Sequence, residues 1–233
     1  MKNLNILSGG AAQGLVASLA GQFREKTGLD ILGEFGAVGA MADKLRKGTP
    51  ADLVILTSAL VADLAREDFL SSRSIANLGR VETALAVRAA DPPFAVKDAA
   101  GLREVLLDAD AVFVPDTKTS TAGIHVAKLL EQLGIAATVA ARLKIYPNGA
   151  TAMRHLAESD AARPIGCTQS TEIINTKGVK LSGLLPRGCD LSTVYTAAIT
   201  ANTNHRQPAQ TLIDLLTASE QAGLRTDAGF LEA

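Results

Sequence analysis

The sequence predicts an α/β fold with mostly parallel strands. Short apolar runs alternate with stretches whose apolar residues recur at helical spacing. The strand–helix–strand order repeats along the chain, as it does in parallel sheets. Hydrophobic residues make up 47% of 233 residues, enough for a large core in one domain or two lobes.

The elements follow from local signals. Leu4, Ile6 and Leu7 form a strand, Ser8-Gly9-Gly10 a turn, and Ala11, Ala12, Leu15, Val16, Leu19 and Phe23 one helix face. Gly28 closes that helix, because glycine accepts the left-handed cap conformation. Asp30 to Phe35 is the second strand, followed by a helix through Met41 and Leu45 that Gly48 and Pro50 stop. Asp52 to Leu56 is a buried strand, with Thr57 and Ser58 as N-cap types for a helix through Leu64. Residues 68–77 read as loop with a short extended piece.

Glu82 to Arg88 is a strand, Asp91-Pro92-Pro93 a turn, and Leu102, Val105 and Leu106 mark a helix. Ala111 to Val114 is a strand, followed by a polar loop and a helix from Thr121 to Leu133 that Gly134 closes. Leu143 to Tyr146 is a strand, and Pro147-Asn148-Gly149 leads into a helix from Ala150 to Glu158. Ile165 to Thr168 is a strand and Val179 to Leu181 is extended. Thr193 to Thr200 is a long strand, Gln207 to Leu216 a helix, and the segment through Phe230 a short helix.

Composition excludes several classes. Aromatics are 3%, Trp is absent and the net charge is −1, so neither stacking platforms nor a basic surface are supplied for nucleic acid. No apolar run approaches the ~18 residues of a membrane span. Met1-Lys2-Asn3 leads at once into the first strand without an apolar signal core, so the expectation is a cytoplasmic protein, or a periplasmic one if a signal has been removed. Cys167 and Cys189 lack metal-ligand spacing and read as small buried hydrophobes; no metal and no cofactor are expected.

One device recurs. Residues 8–12 (Ser8, Gly9, Gly10, Ala11), 36–40 (including Val38 and Gly39), 118–123 (including Ser120, Thr121 and Ala122) and 148–151 (Asn148, Gly149, Thr151) place small or polar residues between a strand end and a helix start. Helix N-termini present unpaired N–H groups and the positive end of the dipole, and open α/β sheets bind ligands there. A fifth polar turn, 166–171, contains Gln169. Few charges accompany these cradles, which suits a small anion held by N–H and hydroxyl groups.

The phrases GQFREKTGLDI, GTPADLVIL, TAGIHVAKLLEQLGI and TKGVKLSGLLP resemble the type II periplasmic binding proteins, in particular their molybdate-binding branch, over nearly the whole chain. The resemblance implies two α/β lobes, each with a mixed, mostly parallel sheet flanked by helices, and a ligand cleft between them. The implied lobes are 1–80 with 196–233, and 81–195. In that branch a serine in each of the first two cradles holds the oxyanion. The matching positions here are Ala11 and Gly39, so both hydroxyls are missing. The branch's backbone donors map to Ala122 and Thr151, and its tyrosine to Gln169. Each donor lost to a buried anion costs roughly 1.5–3 kcal/mol, so a di- or tricarboxylate is expected ahead of molybdate.

The chain also resembles a subgroup turned enzyme, the aconitate isomerases, which move a double bond in a tricarboxylate by an allylic proton shift. This resemblance implies an isomerase; by position, Lys118 just before the third-cradle helix is the candidate cation or base, and His125 in the first turns of that helix is the second choice. The alternative is the substrate-binding protein of an ABC importer for a molybdate-like oxyanion or small carboxylate, with a permease as partner. Arg80 and Arg88, flanking the first long strand, are further candidates to reach a ligand.

Overall fold

A computed structural model describes residues 3–94 and 96–232. Their contacts divide into two compact units: one runs to Val81 and resumes at Thr193, and the other is Glu82–Ser192.

The first unit opens with β1 (Asn3–Gly9), a 3₁₀ turn at Gly10–Ala12, α1 (Gln13–Thr27), β2 (Asp30–Gly36), α2 (Val38–Arg46), β3 (Leu53–Thr57) and α3 (Ser58–Arg66). β4 (Ala76–Arg88) begins in this unit and ends in the next. The second unit continues with α4 (Ala99–Asp108), β5 (Ala111–Pro115), α5 (Thr121–Gln132), α6 (Ala136–Val139), β6 (Leu143–Tyr146), α7 (Gly149–Ala157), β7 (Pro164–Gln169), α8 (Ser170–Ile174) and β8 (Val179–Leu184). β9 (Ser192–Ile199) returns the chain to the first unit, which closes with α9 (Arg206–Thr217) and α10 (Ala222–Asp227).

The strand order is β2-β1-β3-β9-β4-β7-β5-β6, with β8 also on β4. β1 pairs in parallel with β2 and β3, and β5 with β6 and β7. β3–β9, β4–β7 and β4–β8 are antiparallel. The parallel pairs are buried under helices: Leu15, Leu19 and Phe23 of α1 pack with Leu4, Ile6 and Leu53. In the second unit Val126, Leu129 and Leu130 of α5 pack with Val112, Val114 and Ile165.

Two segments differ from the sequence reading. β4 starts at Ala76, six residues before the expected Glu82, because the C-terminal segment pairs with it: Arg80 N–H donates to Leu231 O and Leu231 N–H to Arg80 O, each at 2.8 Å. Gly79 lies so close to Leu231 that a Cβ would come within 2.6 Å of its carbonyl oxygen. Residues 136–142, which carried no expected element, form α6 and a 3₁₀ turn. Ile135 and Val139 insert into the core there, and Arg142 Nη1 donates to the carbonyls of Leu107 and Ala109 at 2.8 and 2.7 Å, sealing the end of α4.

Candidate functional site

Helix starts in this chain are of two kinds. α3, α4 and α7 are capped by their own side chains: Thr57, Asp98 and Asn148 accept from the N–H groups of Leu60, Gly101 and Thr151. α1, α2 and α5 have no side-chain cap at Ala12, Ala37 or Ser120. At α2 and α5 no side chain takes the first N–H groups, as is also the case at α6, α8, α9 and α10, and at α1 the Gln13 N–H closes the preceding 3₁₀ turn on Gly10 O.

In the first unit, Ser8 is fully buried and its hydroxyl donates to the Gly9 carbonyl at 2.9 Å. Its proton is thus committed within the strand and does not replace the missing cradle hydroxyl. A Cβ on Gly9 would stand 2.7 Å from Val38 Cγ1 and 2.9 Å from Tyr195 Cε1, so close packing accounts for that glycine. Gly10 lies in the 3₁₀ turn that leads into α1, with Ala11 at 2% exposure beside it. Val38 and Gly39 are the first two residues of α2.

In the second unit, the loop after β5 is organised by Asp116. Its Oδ1 accepts from Lys118 N–H (2.9 Å), Thr119 N–H (2.7 Å) and the Thr119 hydroxyl (2.8 Å). The Thr119 hydroxyl, the Lys118 N–H and more weakly the Lys118 charge hold the Asp116 carboxyl below its ordinary range. Lys118 is exposed, on the turn leading to the uncapped start of α5. Ser120 and Ala122 are buried there and Thr121 is half-buried. Gly123 is required because a Cβ would meet the Asp116 and Pro115 carbonyl oxygens at 2.1 and 2.5 Å.

Four expected roles meet other partners. His125 Nε2 lies 2.7 Å from the Cys189 carbonyl, which only accepts, so this nitrogen carries a hydrogen and ties α5 to the 186–190 turn. His125 is a tether, not a residue of the helix start. Arg88 forks onto Asp91 (2.6 and 3.2 Å) and donates to Ser159 O, and Arg80 Nε donates to Glu232 O at 3.3 Å. The fourth cradle is filled from within. Thr151 N–H is taken by Asn148 Oδ1 at 2.8 Å. The backbone N–H groups of Gly149, Ala150 and Gln169 lie near the buried carboxyl of Glu172 and favour its charged form, and that carboxyl accepts the Thr168 hydroxyl at 2.6 Å. Asn148 and Thr151 thus close the start of α7 on themselves, and Gly149 leaves room for the buried Glu172 side chain.

Gln169 is 2% exposed, and neither its amide oxygen nor its amide nitrogen has a partner. Thr83 and Thr171, each 1% exposed, also carry unpartnered hydroxyls. Sequence reasoning singled out Gln169 but not the threonines. The available signal was Thr83 itself, a polar residue in register with Leu85 and Val87 of an otherwise apolar strand.

Cys167 and Cys189 are buried free thiols, and burial pushes Cys167 up to about 12, so it packs as an inert side chain. Among the described residues no cluster of three His, Cys, Asp or Glu is placed to hold a metal. No single helix among them is long and apolar enough to cross a membrane.

Uncapped helix starts beside parallel strand ends, in two α/β units joined by crossing strands, define a solute-binding architecture. The chain belongs to the bacterial extracellular solute-binding protein family, whose model matches residues 4–231. It is 24% identical over 237 residues to an aconitate isomerase from a Pseudomonas species, spanning 97% of this chain and 86% of that protein. It is 22% identical over 231 residues to the molybdate-binding protein ModA of Escherichia coli K12, spanning 97% and 88%. Among solved structures, the periplasmic molybdate-binding protein of Azotobacter vinelandii matches with a TM-score of 0.80 at 19% identity over 99% of each chain. That likeness is one of fold, that of the type II molybdate-binding proteins.

Proposed function

We propose that this chain binds a small polycarboxylate and isomerises it by an allylic proton shift. The observation that carries the ligand class is the pairing of uncapped helix starts at α1, α2 and α5 with alanine or glycine at Ala11, Gly39 and Ala122. Backbone N–H groups remain there, while the hydroxyls of the molybdate-binding branch are absent at Ala11 and Gly39. Such donors suit planar carboxylates, each taking one or two N–H groups, better than a compact tetrahedral dianion that needs all its donors at one centre. The likeness to an aconitate isomerase over 97% of the chain favours the reaction.

In this reading the donors are the N–H groups of Gly10, Ala11, Val38, Gly39, Thr121 and Ala122, with Ser120, Gln169 and the ammonium of Lys118. A base takes the proton next to one carboxylate and returns it two carbons away, and the dienolate between these steps carries its charge on the carboxylate oxygens. N–H dipoles at the start of α5 stabilise that charge more than the ground state. Lys118 neutralises a second carboxylate.

The test is NMR of the protein with cis- or trans-aconitate in deuterated water, following vinyl and methylene protons. The expected outcome is isomerisation with deuterium uptake. Lys118→Met is expected to lower kcat/KM by at least ~10-fold, the loss of one charge-assisted contact. His125→Gln should keep the rate and lose ~1 kcal/mol of stability with its tether to Cys189. Tight carboxylate binding without exchange would support the second reading, an importer's substrate-binding protein, which the family match and the molybdate-binding relative favour.

A further inference from the structure

The second unit holds three buried polar side chains that the fold leaves without partners. Thr83 and Gln169 are cross-strand neighbours on β4 and β7. The backbone of Thr83 bonds away from β7: its N–H donates to Leu191 O at 2.9 Å and its carbonyl accepts from Leu185 N–H at 3.3 Å. Thr83 and Gln169 are therefore a non-hydrogen-bonded antiparallel pair, the kind whose side chains stand closest, on one face of the sheet. Thr168, the residue before Gln169, points to the opposite face, where its hydroxyl meets Glu172. The pair is thus separate from the Glu172 network. Thr171 follows two residues after Gln169, at the start of α8.

All three are at least 98% buried, and four polar atoms among them lack partners: the Thr83 and Thr171 hydroxyl oxygens and both ends of the Gln169 amide. Native interiors pair the great majority of such groups, because each one left alone is destabilising. A fold that keeps two of them paired on one sheet face and the third two residues further on holds them for something else. Two hydroxyls and an amide offer up to four donor hydrogens against one obligate acceptor, and none is charged. That balance matches the oxygens of a carboxylate.

We infer that Thr83 and Thr171 are ligand contacts acting with Gln169, forming a neutral, donor-rich seat for one carboxylate of the bound anion. This rests on the reading of the ligand as a polycarboxylate. The two hydroxyls turn to donate to its oxygens together with the Gln169 amide nitrogen, and the amide oxygen takes a ligand hydroxyl or a water that enters with it.

This assignment makes stability and affinity move in opposite directions. Thr83→Val and Thr171→Val keep shape and remove the unpaired hydroxyl. Gln169→Met keeps length and removes the amide. Titration calorimetry with tricarballylate, a saturated tricarboxylate that cannot undergo the allylic shift, reads binding alone. Each variant is expected to bind about tenfold more weakly, roughly one net hydrogen bond. The ligand-free melting temperature of each threonine variant should rise, by about 2–4 °C for a chain of this size.

Unchanged affinity in all three variants, or a melting temperature that falls in both threonine variants, overturns the assignment, since the groups then serve the fold. If the native protein binds molybdate and not tricarballylate, and the variants weaken molybdate, the seat stands and the polycarboxylate reading falls. If the native protein binds neither anion, the seat is overturned as well.

Discussion

Glu172 shows how one side chain can occupy a position that the sequence offers to a ligand. Its carboxyl accepts the Thr168 hydroxyl and lies near three backbone N–H donors, those of Gly149, Ala150 and Gln169, and it fits because Gly149 has no side chain: a Cβ there would meet Glu172 Oε2 at 1.9 Å. Burial raises its pKa while the four donors pull it back, and the net direction is upward. Between the unfolded and folded pKa values the folded protein therefore keeps a proton that the unfolded chain has released. The resulting stability is fully present below the unfolded pKa and is lost as pH rises through the folded one. Glu172→Gln removes this titration. Urea unfolding from pH 4 upward should show the native protein losing stability relative to the variant as pH rises. A constant difference between them would show that Glu172 does not titrate in this way.

Elements succeed or fail on contacts that local pattern does not contain. Helix α1 was legible throughout, from its apolar face to Gly28 in the left-handed conformation at φ 70°. The start of β4 was not, because Ala76 to Val81 becomes a strand through distant partners, β9 beside it in the sheet and the C-terminal segment that bridges to Arg80. The distinction between capped and uncapped helices was half-legible. Asn148 and Ser120 both read as cap types, yet Asn148 caps α7 and Ser120 makes no such bond. Glycines divide by the same logic. Gly21 lies in mid-helix on α1 with no atom within 4 Å of a built Cβ, whereas Gly123 on α5 sits against two carbonyl oxygens of the preceding loop. Gly21→Ala should gain ~0.5–1 kcal/mol from helix propensity. Gly123→Ala should lose ~3 kcal/mol or more by overpacking against backbone. Chemical denaturation reads both, and opposite signs are the required result.

Over the whole molecule, two units are joined by crossing strands, and each has helix starts without a side-chain cap. Ligand binding stabilises whatever binds it by mass action, about 2.7 kcal/mol at a hundred times the dissociation constant. For a chain of this size that is roughly 5–11 °C in Tm. Thermal melts with tricarballylate, citrate and trans-aconitate should show such shifts at millimolar concentration, and molybdate and sulfate should give smaller ones. Micromolar molybdate raising Tm while the carboxylates do nothing would return the chain to the oxyanion-binding reading.

The alternation of apolar runs with helical spacing determined the α/β class and nearly every element, because both periods are properties of local backbone geometry and a half-buried face. Motif phrases such as Gly48-Thr49-Pro50-Ala51-Asp52-Leu53 carried the family. Which groups keep free hydrogen-bonding capacity was decided only by tertiary structure, since capacity depends on what lies opposite. His125 looked available until Cys189 O was placed 2.7 Å away, and the fourth cradle looked open until Glu172 filled it. Thr83 and Thr171 looked ordinary until burial without partners set them apart. A sequence records donors and acceptors one residue at a time, and their pairing is settled by distant neighbours, as Thr83 N–H is by Leu191 O, more than 100 positions along the chain.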